Sequence, residues 1–95
     1  MPQPKAGTFK IPLIDIVVDK TRTREDVGDI LGLAGSIKTN GLINPIIIDQ
    51  SNNLIAGYRR LLAIHALKYT EIEVRRYEEL SGYEKRRIEL EENMG

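Results

Sequence analysis

Gly57-Tyr58-Arg59-Arg60 combines residue types that hold a phosphate. It follows a short apolar strand pattern, Leu54-Ile55-Ala56, and opens a helical pattern running to about Leu67. A glycine at such a strand-to-helix turn takes a positive φ and leaves room for a ligand, while the first N–H groups of the helix have no partner within it. An anion takes that place, and adjacent arginines add forked donors matched to phosphate oxygens. The helix end contributes about 0.3–1 kcal/mol and each hydrogen bond to a charged group about 1.5–3 kcal/mol, so the arginines dominate. A second reading fits the same residues: two solvated arginines in the first turn of a surface helix. Cations there oppose the helix macrodipole, but that term is too small to choose between the readings.

The elements that must position this turn follow from patterning. Residues 1–8, with Pro2 and Pro4, read as a flexible lead-in, and the domain proper as 9–95. Ile11 to Val18 is β-branched and reads as one strand or two short ones, with Pro12 at an edge or a strand start. Asp19 to Asp26 is a polar loop carrying Lys20, Arg22 and Arg24. From about Val27 to Thr39, Ile30, Leu31, Leu33, Ala34 and Ile37 recur at helical spacing, and Asn40-Gly41 followed by Pro45 stops the helix. Ile46-Ile47-Ile48 reads as a buried strand, and Asp49 to Asn53 as a turn that makes a hairpin with Leu54-Ile55-Ala56. Leu61, Leu62, Ile64, Ala66 and Leu67 give the next helix its apolar face. Glu71 to Tyr77 alternates as a half-buried strand. From Gly82 the chain is helical again, with Leu80, Tyr83, Arg87, Leu90 and Met94 at three- and four-residue steps. That stripe is weakly apolar, which suggests packing on a further segment or a second chain.

Composition narrows the chemistry. With one Phe, four Tyr and no Trp, Ile and Leu must fill a thin core. The absence of cysteine removes disulfides, thiolate metal sites and thiol catalysis. Fourteen basic residues balance fourteen acidic ones, so any attraction to nucleic acid is local. No segment has the length of a signal peptide's apolar core or a membrane span, and a soluble, cytoplasmic protein is expected. His65 lacks a second His or Cys at ligand spacing.

Several pieces together resemble the N-terminal domain of ParB-type partition proteins, in the ParB/sulfiredoxin superfamily. Ser36-Ile37 with Gly41-Leu42-Ile43-Asn44-Pro45-Ile46-Ile47-Ile48 is similar to the family's S-I box followed by G-hydrophobic-x-x-P-hydrophobic. Ile55-Ala56-Gly57-Tyr58-Arg59-Arg60-Leu61-Leu62-Ala63 is similar to I-x-G-E-R-R-x-x-A, and Glu91-Glu92-Asn93 to the start of E-N-x-x-R. The resemblance spans about Phe9 to Met94. It implies a compact α/β (α+β) fold, a small mixed sheet with about three helices packed around it. It implies a nucleoside triphosphate, CTP in the partition proteins with ATP as the alternative, bound with Mg²⁺. Carried over by position, Gly57, Arg59 and Arg60 would hold phosphates, and Glu92 and Asn93 would lie beside the metal. Arg24 would add a contact, while Ser36 and Gly41 would shape the pocket wall. Ser36 and Gly41 also fit ordinary helix-end roles that need no ligand.

The departures matter too. Tyr58 replaces the glutamate of G-E-R-R, and its ring can stack on a base or pack. Thr23 replaces the proline before Arg24, and Arg22 stands where partition proteins carry a glutamine associated with hydrolysis, so slow CTPase or NTPase turnover is left open. Sulfiredoxin activity is excluded, because G-C-H-R needs a cysteine where Tyr58 stands. The arginine of E-N-x-x-R would fall just beyond Gly95, and a longer protein with a separate DNA-binding domain is implied. The first functional reading is a nucleotide-binding switch in DNA partition or related DNA regulation, with self-association through the last helix. The alternatives are a phosphotransferase or nuclease using the same pocket, and a nucleotide-free dimerisation module.

Overall fold

The computed structural model describes residues 7–21, 28–41 and 44–94, the last four through their backbone alone. One mixed sheet contains β1 (Phe9–Pro12), β2 (Ile46–Ile48), β3 (Leu54–Ala56) and β4 (Glu71–Arg76), in the order β1-β4-β2-β3. β4 runs antiparallel to β1 and parallel to β2, and β3 returns antiparallel beside β2. The helices are α1 (Ile30–Asn40), α2 (Tyr58–Ala66) and α3 (Gly82–Met94). The expected mixed sheet with three helices is therefore present, and so is the hairpin. Six residues of the expected lead-in and most of the basic loop, with Arg22 and Arg24, lie outside the described residues.

The β-branched run after Phe9 divides at Pro12. The proline ends β1 on the sheet edge, Leu13–Asp15 form a 3₁₀ turn, and Val17 makes a single parallel bridge to Asn53. Without an N–H, proline cannot extend a ladder and is tolerated at an edge. α1 begins later than its apolar pattern suggests, at Ile30, where the Asp29 carboxylate accepts the Gly32 N–H at 2.8 Å. It ends as expected at Gly41, whose φ of 80° lets its N–H reach the Ile37 carbonyl at 2.7 Å.

The sheet has two unequal faces. On one, Ile46, Ile48, Ile72 and Val74 meet Ala34 and Ile37 of α1 and Leu61, Ala63 and Ile64 of α2. This is the main core. On the other, Ile47, Ala56 and Leu80 form a small cluster against which Ile88 of α3 packs. A register shift makes this division possible. Ile47 pairs with Ala56 and Ile48 with Leu54, leaving Ile55 as the extra residue of a bulge that turns Leu54 and Ala56 to opposite faces.

α3 sits on the sheet differently from its sequence stripe. Tyr83 and Leu90 are 77% and 55% exposed, whereas Ile88 packs inward beneath Leu80. Its first turn carries a reciprocal cap: the Glu84 N–H donates to Ser81 Oγ at 3.1 Å, and Glu84 Oε1 lies 3.4 Å from the Ser81 N–H and 3.2 Å from its hydroxyl. The face that meets the sheet is thus Glu84 and Ile88, and a charge occupies it because a partner on β4 waits there.

Candidate functional site

Gly57 joins β3 to α2 in a left-handed conformation, φ 105° and ψ 27°. Only glycine suits it sterically. A Cβ at this position would lie 2.7 Å from Ile46 Cγ2, 3.0 Å from Ile46 Cβ and 3.3 Å from Arg60 Nη2. Gly57, as the N-cap residue, brings no side-chain cap to α2, and the first internal bond of the helix runs from the Leu61 N–H to the Gly57 carbonyl at 2.9 Å. The N–H groups of Tyr58, Arg59 and Arg60 therefore head the helix, as a phosphate turn requires.

The two arginines diverge. Arg59 is exposed and turns toward the start of α1, where a Cβ on Gly28 would lie 3.9 Å from its Nη2. Arg60 is half-buried, and its Nη1 donates to the carbonyls of Asn44 at 3.1 Å and Pro45 at 3.3 Å. Those bonds lay it across the chain entering β2. Tyr58 is half-buried and packs against the main core, so packing accounts for the ring.

Arg60 opens onto a cleft of about 320 Å³ between the second face of the sheet and α3. Its floor is Ile47, Ala56 and Leu80; Arg60, Arg75 and Arg87 supply cations and Glu84 a carboxylate. Arg75 Nη1 donates to Glu84 Oε2 at 2.7 Å, with the two side chains 25% and 41% exposed. That hydrogen bond, with one from the Ser81 backbone, holds the Glu84 carboxyl below its usual pKa. Arg75 and Glu84 were not singled out from sequence as site residues. The alternation of β4 puts Arg75 opposite the buried Ile72 and Val74, and Ser81-Gly82-Tyr83-Glu84 is a capping signature, so both positions carried a signal.

The remaining candidates are dispersed. Ser36 is exposed on α1. Gly41 lines a separate hollow of about 280 Å³ with Lys10, Lys38 and Tyr69. Neither lines the cleft that holds Arg60. Arg22 and Arg24 lie outside the described residues, and Glu92 and Asn93 are placed on α3 by backbone only. Among the described residues, no group of three or more His, Cys, Asp or Glu could hold a metal, and no helix is long and apolar enough to cross a membrane.

Arg76 fixes the far end of the hairpin. Its Nη1 donates to the Asp49 carbonyl at 2.6 Å and Asn52 Oδ1 at 2.7 Å, and its guanidinium lies 5.1 Å from the centre of the Phe9 ring. Asp49 in turn accepts the Ser51 and Asn53 N–H groups at 2.8 and 2.9 Å, and these bonds, Asn53 foremost, hold its carboxyl below the usual value.

The mixed four-stranded sheet with its three helices is the ParB/sulfiredoxin fold, as its likeness to solved structures shows. A C-terminally truncated chromosome-partitioning protein ParB from Caulobacter crescentus, complexed with CTP-γ-S, superposes with a TM-score of 0.65 at 21% identity, over 93% of this chain and 53% of that one. Sulfiredoxin from Arabidopsis thaliana superposes with a TM-score of 0.60 at 28% identity, over 73% of this chain and 84% of that one. The sequence narrows the class: residues 4–94 match the ParB N-terminal domain, and the chain belongs to that family. It is 35% identical over 98 aligned positions to the chromosome-partitioning protein ParB of Myxococcus xanthus, covering 96% of this chain and 32% of the relative. The chain spans about a third or less of the length of the curated relatives it matches.

Proposed function

We propose that this chain is the nucleotide-binding part of a partition-type protein, taking a nucleoside triphosphate with its phosphates at the Gly57–Arg60 turn and in the adjoining arginine cleft. One observation carries the reading: Ala56 and Arg60, which flank the left-handed glycine, both line a cleft that also contains Arg75 and Arg87. Arginine forks beside the N-terminal head of a helix that opens on glycine form an oxyanion site. CTP is the favoured nucleotide, supported by the Caulobacter ParB of the same fold in complex with CTP-γ-S.

Mg²⁺ fits this reading as a hard cation held mainly by phosphate oxygens, with Glu92 and Asn93 of α3 as its protein-side donors. Bound there, it would neutralise phosphate charge. DNA partition then draws on segments of a longer protein, and nucleotide acts as a switch to the extent that it binds one placement of α3, and the self-association through it, better than another.

Calorimetry with CTP, ATP and GTP in the presence of Mg²⁺ tests this. Binding is expected between micromolar and millimolar, about −4 to −8 kcal/mol, as a few charge-assisted bonds in an open cleft allow. Arg60→Ala should weaken it by at least about tenfold, the value of one hydrogen bond to a charged group. No heat from any of the three nucleotides would refute the proposal.

A further inference from the structure

Resting on that phosphate reading, we propose that Arg75 and Glu84 form an internal latch: the Glu84 carboxylate occupies the place of a ligand phosphate on Arg75 and is exchanged for it on binding. Glu84 is the one carboxylate among the described residues lining a cleft that contains three arginines. A carboxylate and a phosphate present the same kind of oxygen pair to a guanidinium fork, so they compete for one donor set. The bond in place, Arg75 Nη1 to Glu84 Oε2 at 2.7 Å, is a strong charge-assisted one. Its partners are mounted unequally. Arg75 belongs to β4, which pairs with β1 on one side and β2 on the other. Glu84 belongs to the first turn of α3, a helix that meets the sheet side through Ile88 and this ion pair and the preceding turn through Lys85 and Glu89 on Tyr77.

An anion arriving in the cleft therefore leaves Arg75 in position and displaces Glu84. The same event that fills the cleft releases the first turn of α3 from the sheet. Glu84 has a second role that survives the exchange, because its carboxylate also caps α3 through Ser81. Glutamine at this third position of a capping box performs the capping role without the charge. Glu84→Gln separates the two roles.

Binding of inorganic tripolyphosphate to the 95-residue chain is measured by calorimetry for the wild type, Glu84→Gln, Arg75→Gln and the double variant, with helix content followed by circular dichroism. The latch predicts that Glu84→Gln binds about two- to fivefold tighter, by removing a partly exposed competing ion pair. Arg75→Gln binds about tenfold more weakly, and adding Glu84→Gln to it changes affinity by less than about twofold, the signature of coupled sites. A purely structural Glu84 gives equal or weaker binding on substitution and overturns the latch while the phosphate site stands. Absence of tripolyphosphate binding to the wild type overturns both. The wild type supplies a second measure that no folding defect confounds: the Glu84 carboxyl, titrated by carbon NMR, should rise in pKa in the tripolyphosphate complex, and an unmoved titration at saturation refutes the exchange.

Discussion

Replacing Gly57 by alanine tests whether the turn under the proposed phosphate site is held by its backbone. Two costs are visible. The residue sits at φ 105°, where a side chain is strained by about 1–3 kcal/mol. The new methyl would also stand 2.7 Å from Ile46 Cγ2, and Ile46 is fully buried under the helix, so relief requires shifting core atoms. Overpacking of that kind costs about 1–3 kcal/mol. A small shift of α2 relieves both together, so a combined loss of about 3 kcal/mol is expected. Against the roughly 5–14 kcal/mol of a domain this size, that is a large fraction. It corresponds to a fall in Tm of about 12–24 °C. Urea unfolding with an unchanged m-value is the assay. Gly35→Ala provides the control: this glycine is exposed inside α1, nothing lies within 4 Å of its missing Cβ, and the substitution should stabilise by about 0.5–1 kcal/mol. A Gly57→Ala loss below about 1 kcal/mol would refute the account of the turn.

Lys68, exposed just past α2 with a φ of 62°, should tolerate glycine with a gain of up to about 1 kcal/mol in the same unfolding assay, because the left-handed region disfavours a Cβ. Asp29→Ala removes the cap that accepts the Gly32 N–H and should cost about 1 kcal/mol. Acid should loosen α3 before the main core. Glu84 is held below its usual pKa, so its contribution is whole above about pH 4.3 and is lost as pH falls through the lower folded value. Amide protection factors in residues 82–88, which correct for intrinsic exchange, should fall in that window in the wild type and stay flat with pH in Glu84→Gln.

What could be read from the sequence follows the range of the interactions involved. Gly57 at the end of β3, Ile46-Ile47-Ile48 as a buried strand and Gly41 as a helix stop depend on a few consecutive residues, and all three appear in the fold. The Asp29 cap and the Ser81–Glu84 box were equally local, but the spacing of apolar residues drew the start of α1 too early and hid the box. Other features depend on contacts no local pattern contains. Tyr83 and Leu90 repeat like a buried stripe, yet α3 is rotated so that Glu84 and Ile88 face the sheet, because Arg75 on β4 offers Glu84 an ion pair. Arg59 and Arg60 are adjacent and chemically alike. Their separation into an exposed arm beside Gly28 and a half-buried one across Asn44 and Pro45 is decided by what lies on either side of α2.

The bulge at Ile55 links this division to function. Without it, Leu54 and Ala56 would share a face, and the strand leading into the glycine turn would belong wholly to one layer. With it, Leu54 anchors β3 in the main core while Ala56, the residue next to Gly57, reaches the floor of the arginine cleft. The turn is thereby fixed from the well-packed side and opened toward the poorly packed one. On that second side the apolar cluster is small, and Arg60, Arg75 and Arg87 line the cleft beside it. A phosphate bound as proposed would meet Arg60 and Arg75 on the sheet side of the cleft and Glu84 on the first turn of α3. Under that proposal, binding free energy would act on the position of α3 rather than on the sheet, which is the physical condition for a small domain to report its occupancy.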